Sequence, residues 1–315
     1  MLRTTLLVLS VPLLSVSAFA QDEDLLKLLG GEDTVPVYTT ASFKTTRVIN
    51  GHSVENTAHG VLDFKIGHRF GTLEEGVSNF FGLDQATIRL GLDYGLTDRV
   101  MIGIGRSSYQ KTVDGFVKYK FLRQCQEGCG MPVTAAFVAS SAVNTTQQSD
   151  YWPDESKTYY FSNRMSYSFQ LVVGRKFTES LTLQLTPGLV HRNLVTTVDE
   201  KNDVYNVGLS GRIKLSKRVS LNAEYFYVLP GQLLEPTAAE LAADPNAGFK
   251  NSLSIGFDIE TGGHVFQLHF TNSTGMFERA FITETTNSWS EGQIHYGFNI
   301  SRVFTLHTPK KPKQI

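Results

Sequence analysis

Between residues 35 and 306 the chain falls into thirteen stretches in which apolar and polar side chains alternate. In residues 204–215, Tyr205, Val207, Leu209, Ile213 and Leu215 take one side and Asn206, Gly208, Ser210, Arg212 and Lys214 the other. A period of two is the mark of a strand whose two faces meet different surroundings. Residues 219–229 repeat it, with Val219, Leu221, Ala223, Tyr225, Tyr227 and Leu229 set against Ser220, Asn222 and Glu224, and the joint at 217–218 predicts an antiparallel hairpin. A further hairpin is predicted where Leu253, Ile255, Phe257 and Ile259 lead through Gly262-Gly263 to Phe266, Leu268 and Phe270; the glycine pair suits the positive φ of a tight turn.

Alternation alone also fits a soluble β-sandwich, so strand length decides. Many of the runs last about ten residues, enough to cross a bilayer at a steep tilt, whereas sandwich strands are nearer five or six. The predicted fold class is therefore all-β: a transmembrane antiparallel up-and-down β-barrel.

The joints give its topology. Short ones at 97–99, 124–130, 179–180, 217–218 and 261–263 alternate with long polar ones at 72–84, 146–163, 196–203, 232–250 and 275–292. Outer-membrane barrels keep short turns in the periplasm and long loops outside. Counting 61–70 as the first strand gives twelve, an even number that returns both termini to the periplasm. The remaining run, 35–49, is then a periplasmic or lumenal segment, and its polar part at 45–50 can fold inside the bore as a constriction. Pro236 to Glu240 has Thr237 and Glu240 at capping-box spacing, with Pro245 as a stop, and predicts a short surface helix.

The chain begins with Arg3, an apolar run from Leu6 to Leu14, and Ser17-Ala18-Phe19-Ala20, the pattern of a secretory signal cleaved before Gln21. The predicted organisation is a signal peptide at 1–20, an N-terminal segment at 21–58, a barrel at 59–306 and a basic tail at 307–315. Removing the signal leaves 28 basic and 30 acidic residues, because Arg3 is its only charge. Such a balance does not suggest nucleic acid as a partner. The mean hydropathy of −0.13 would pass for soluble, yet half of each barrel strand faces a polar lumen.

Cys125 and Cys129 lie in Cys-Gln-Glu-Gly-Cys between two strands and suit a local disulfide in an oxidising compartment; a thiolate metal site would want more ligands close by. No metal or cofactor is expected. On the assigned phase Asp63, Lys65, Arg69, Arg89, Asp93, Lys118, Lys120, Arg212, Lys214, Glu224, Asp258, Glu260, His269 and His295 face inward. A lumen so charged is hydrated or heavily paired, since an isolated buried charge is very costly. The two outcomes are a narrow polar pore and a closed, salt-bridged barrel. Basic residues gather in 61–120 and 212–214, a hint of mild anion preference that a one-residue register slip would remove.

An enzyme is not expected. His68, His191, His264, His269 and His295 are scattered over different strands, His68 and His191 on the lipid-facing phase, with neither Gly-x-Ser-x-Gly nor His-Glu-x-x-His among them. Gly103-Ile104-Gly105 reads as strand glycine near a bulge, because no helix follows to make a phosphate loop.

The stretches 43–51, 91–95, 261–267 and 297–304 resemble a family of uncharacterised β-barrel proteins from Bacteroidota, over nearly all of the mature chain. The resemblance implies a signal peptide and a barrel, and no assigned activity. The expected protein is a bacterial outer-membrane barrel that acts as a passive or substrate-selective channel for small polar solutes. The alternative is a structural or partner-binding barrel. Expected partners are outer-membrane lipid, the barrel-insertion machinery, and a small polar solute or a periplasmic protein.

Overall fold

A computed structural model describes residues 36–147, 156–195, 197–244 and 247–307. The predicted signal peptide, Pro245 and most of the basic tail lie outside these residues. Twelve strands form one closed antiparallel barrel: β2 (Val61–Thr72), β3 (Ala86–Gly95), β4 (Val100–Ser107), β5 (Thr112–Leu122), β7 (Thr134–Asn144), β8 (Met165–Lys176), β9 (Leu181–Arg192), β10 (Asp203–Lys214), β11 (Val219–Val228), β12 (Ser252–Thr261), β13 (His264–Thr271) and β14 (His295–Thr305). Each pairs with the next along the chain, and β14 closes on β2 with Ile300 opposite Ile66. The thirteenth alternating run contributes only β1 (Val37–Tyr38), which pairs outside the barrel with β6 (Cys125–Glu127).

The strands separate two environments. Leu90, Leu92, Ile104, Leu183, Leu185, Phe257, Phe266 and Leu268 project outward and are exposed, with Leu92 opposite Ile104 and Phe257 opposite Leu268 across neighbouring strands. An apolar belt this continuous is stable when hydrocarbon is the solvent. The inward phase carries Asp63, Arg69, Asp93, Gln170, Gln184, Asn206, Asn222, Glu224 and Gln267, all buried.

Both chain ends of the barrel domain and the five short turns lie at one end, here the turn end; the opposite end is the loop end. The alternation of short and long joints breaks at one place. Residues 108–111 join β4 to β5 at the loop end by a tight turn, in which Gln110 and Lys111 adopt φ of 48° and 46°. Another expectation is corrected nearby: Gly103 and Gly105 sit in regular, unbulged pairing on β4. A Cβ at Gly105 would lie 2.2 Å from Arg89 Nη2 and one at Gly103 2.2 Å from the Phe116 ring, so these glycines make room for inward side chains. The predicted surface helix is present as α1 (Ala238–Ala243), capped by Thr237, whose N–H donates to Glu240 Oε2 at 2.7 Å.

Candidate functional site

The bore is filled from both ends. From the turn end, residues 41–57 enter the lumen and turn back on themselves in a small hairpin: Arg47 pairs with His52, Val48 N donates to Gly51 O at 2.8 Å, and Ser53 N donates to Thr46 O at 3.0 Å. Phe43, Val48, Ile49, Val54, Ser42, Thr46, Asn50, His52 and Ser53 are all buried. Phe43, Val48 and Val54 pack with the inward Met101, Phe116, Val138 and Val172. Wall glycines admit the plug, since a Cβ at Gly95 would lie 2.1 Å from Ala58 O and one at Gly174 2.8 Å from Val54.

From the loop end comes the β13–β14 connection, expected to be a polar outer loop. Instead it carries α2 (Glu278–Thr283) into the lumen, with Phe277, Phe281 and Ile282 wholly buried. Phe281 packs edge-on to Phe226 with ring centroids 5.0 Å apart, and Phe277 meets Tyr109 of the tight turn at 6.1 Å. Gln110 in the same turn receives Arg279 and donates to Glu284 at 3.3 Å, which gives the left-handed backbone there a purpose as an anchor. The sequence signal was legible: Met276-Phe277-Glu278-Arg279-Ala280-Phe281-Ile282 places Phe277 and Phe281 four apart in an otherwise polar loop.

Plug and loop meet in mid-bore. Arg47 Nη1 donates to Glu278 Oε1 at 2.7 Å, and His52 Nε2 lies 3.3 Å from the same oxygen. Burial, then the Arg47 charge, pushes His52 down to about 3 from 6.5. Burial would raise the Glu278 carboxyl, but Arg47 outweighs it and holds the group well below the usual carboxylate range.

Glu224 receives the hairpin tip. Its carboxylate accepts three successive main-chain N–H groups, from Ile49 at 3.1 Å, Asn50 at 2.7 Å and Gly51 at 3.1 Å. Consecutive amides converging on one anion form a nest, the arrangement that binds free anions elsewhere. Around it, Gln267 Nε2 donates to Val48 O at 2.5 Å, Asn299 Nδ2 to Ile49 O at 3.0 Å, and Gln184 Nε2 to His52 O at 2.7 Å.

Most of the residues predicted to face the lumen converge on the plug or on one another. Lys65 lies 3.2 Å from Asp93 and 3.4 Å from Asp63, and donates to Thr46; Thr46 in turn donates to Asp93 at 3.0 Å. Lys118 donates to Glu55 O at 2.5 Å and Arg212 to Ala41 O at 2.9 Å. Arg69 donates to Asn50 Oδ1 at 2.8 Å, Arg89 is bidentate with Asp114, and Asp258 accepts from Gln267 at 2.6 Å. Buried His269 has room because Gly256 and Gly297 carry no side chain, and His295 bridges Phe70 O and Asn287. Three stand apart from this interior. Lys120 is half-buried towards the turn end, Lys214 approaches Glu179 at 4.0 Å on the rim, and Glu260 is exposed at the turn-end mouth, where it pairs with Lys44 of the plug. Asp114, Gln184, Gln267 and Asn299 share the inward phase and also belong to this interior, three of them as neutral amides whose part in holding the plug only their partners reveal.

The basic residues of 61–120 are therefore interleaved with Asp63, Asp93 and Asp114, which offsets the excess suggested by the linear sequence. His68 faces outward, stacked on Phe298 at 5.0 Å, and His191 pairs with Asp203 at 2.6 Å on the outer surface near the loop end. Cys125 and Cys129 are disulfide-bonded within the turn that supplies β6 and thereby holds β1 at the mouth.

An outward apolar belt, a polar bore and a lumen stopped by its own chain define an occluded membrane β-barrel of the bacterial outer membrane. The chain belongs to the family described as membrane bound beta barrel domain (DUF5777), which it matches over residues 43–304. The matched region takes in the plug hairpin as well as the barrel strands. No curated protein matches the chain. Among solved structures it is similar to the NanC porin (9% identity, 77% of this chain and 98% of that one, TM-score 0.45). It is also similar to an outer membrane channel from Pseudomonas putida F1 (13% identity, 80% and 98%, TM-score 0.45) and to LpxR from Salmonella typhimurium (9%, 77% and 98%, TM-score 0.34).

Proposed function

We propose that this protein is a gated outer-membrane channel for small polar solutes whose resting state is closed by its own N-terminal hairpin. The observation that supports it most is the way the plug is held. Beside the apolar packing of Phe43, Val48 and Val54, Glu224, Gln267, Asn299, Gln184 and Arg212 bind it through hydrogen bonds that water could replace on withdrawal. A core element that only filled space would instead favour side chains that water cannot solvate. Apart from the patch of Met101, Phe116, Val138 and Val172, the wall exposed by withdrawal is polar, as a water-filled bore requires.

The hairpin is continuous with the barrel only through residue 60, and its other end leaves the bore towards β1 and the turn end. A cavity of about 460 Å³ already opens there beside Phe43, Lys44, Asp63, His264 and Val303. On the usual orientation this mouth faces the periplasm, where a partner protein could take hold of the segment preceding Val37. No catalytic step enters this reading.

Single-channel recording in a planar bilayer tests it, comparing the mature chain with a form lacking residues 21–58. The expected result is rare or no conductance in the full chain and stable steps in the truncation. Silence in both, with folding verified by heat-modifiable migration, would leave a closed structural barrel as the function.

A further inference from the structure

Between the plug and the β13–β14–β2–β3 wall lies a chamber of about 50 Å³ whose lining includes Arg47, Lys65, Arg69 and Arg89 and no carboxylate-bearing residue. Such a volume admits a few waters or one small ion. Three of the four cations have acidic partners elsewhere: Arg47 with Glu278, Lys65 with Asp63 and Asp93, Arg89 with Asp114. Arg69 differs. It is 1% exposed, and its Nη atoms donate to neutral acceptors only: His68 O at 2.9 Å, Asn299 Oδ1 at 3.0 Å and Asn50 Oδ1 at 2.8 Å. Its Nε has no protein partner. The neighbouring Glu224 makes no ion pair with it and directs its oxygens to the three amides of the hairpin tip.

We infer that this chamber is a binding site for one small monovalent inorganic anion of chloride size, held against Arg69. A buried guanidinium with no carboxylate in direct contact is costly, since the nearby Glu224 is turned to the hairpin amides, and an anion beside it lowers that cost. The donors on the lining are cationic or neutral, and the small volume excludes larger carboxylates. Because Asn50 and Arg47 line the chamber from the plug side, a bound anion would tie the hairpin to the wall. The site belongs to the closed barrel and does not depend on conduction.

Bromide is the probe. Full-length protein crystallised in bromide should show an anomalous peak in the chamber against Arg69, and its heat-modifiable unfolding temperature should be higher in bromide than in gluconate of equal ionic strength. Arg69→Gln should lose that increment. Absence of a peak overturns the inference, whatever the variant does. A peak with an undiminished increment in R69Q marks an adventitious ion only and also overturns it. Should R69Q fail to fold, wild-type protein equally stable in the two salts does the same.

Discussion

Arg47 and Glu278 meet 2.7 Å apart in the middle of the bore, the first carried in from the turn end on the plug and the second from the loop end on α2. Both are nearly buried, at 10% and 4% side-chain exposure, so the pair latches two insertions that no strand connects. Removing one partner from a buried pair leaves a naked charge, which costs about 3 kcal/mol or more, whereas replacing both by apolar groups is often near neutral. Glu278→Leu and Arg47→Met singly should therefore loosen the plug by roughly that amount, and the double variant should recover much of the loss. A double-mutant cycle on amide-exchange protection of residues 46–53 measures it; additive losses would mean that the two residues do not act as a latch.

The same meeting point makes plug docking depend on pH. His52 is faced by Arg47, Glu278 and Lys118 and packs on Phe116 at 4.5 Å. Its proton affinity is depressed in the docked state, from 6.5 to about 3, so the undocked hairpin binds the proton first as pH falls. Docking is fully favoured above pH 6.5 and weakens by up to about 1.4 kcal/mol for each unit below it, until His52 protonates in place. Glu278 stays ionised across that window, held below the ordinary range by Arg47. Exchange of the plug amides should accelerate from pH 7.5 to pH 5 after correction for the intrinsic rate, and His52→Phe should flatten the dependence.

Glu224 is the acceptor for three amides of the hairpin tip. Glu224→Ala leaves those donors without their charged partner at a cost of about 2 kcal/mol or more, which corresponds to roughly thirtyfold faster exchange at Ile49, Asn50 and Gly51. Protection of the barrel strands should change little. If strand and plug protection fell together, the hairpin would be part of the cooperative unit and not a separable plug.

Charge reversal distinguishes wall from partner. Arg89→Glu would set a second carboxylate against Asp114 and should lower the yield of folded barrel, with no informative effect on selectivity. Lys65→Glu, made in the form lacking residues 21–58, should shift reversal potentials towards cations, because Lys65 would then line open water. Unchanged reversal potentials would place Lys65 outside the conducting path.

Particular residues show how much was readable beforehand. Arg69, Asp93, Lys118 and Glu224 could be assigned to the interior because a strand alternates locally, and a run such as 219–229 fixes its own two faces. What each would touch was not readable. Ile49 and Glu224 are 175 residues apart, and Arg47 and Glu278 are 231 apart, so nothing near either partner in the chain announces the other. The tight turn at 108–111 escaped because its left-handed positions are Gln110 and Lys111, with neither glycine nor asparagine to mark them. The inward loop escaped because 275–292 is polar along most of its length, and the apolar face around Phe277 and Phe281 covers less than two helical turns.

Periodicity, run length and even strand number were enough to determine a twelve-stranded membrane barrel with a polar bore, since each rests on the geometry of single strands and on the solvents they separate. Closure of that bore was decided only in three dimensions. The sequence allowed residues 45–50 to enter the bore as a constriction, but the plug is held there because apolar and hydrogen-bonding groups on remote strands converge on it and satisfy its backbone; that convergence is a property of the closed barrel and of no stretch of chain within it.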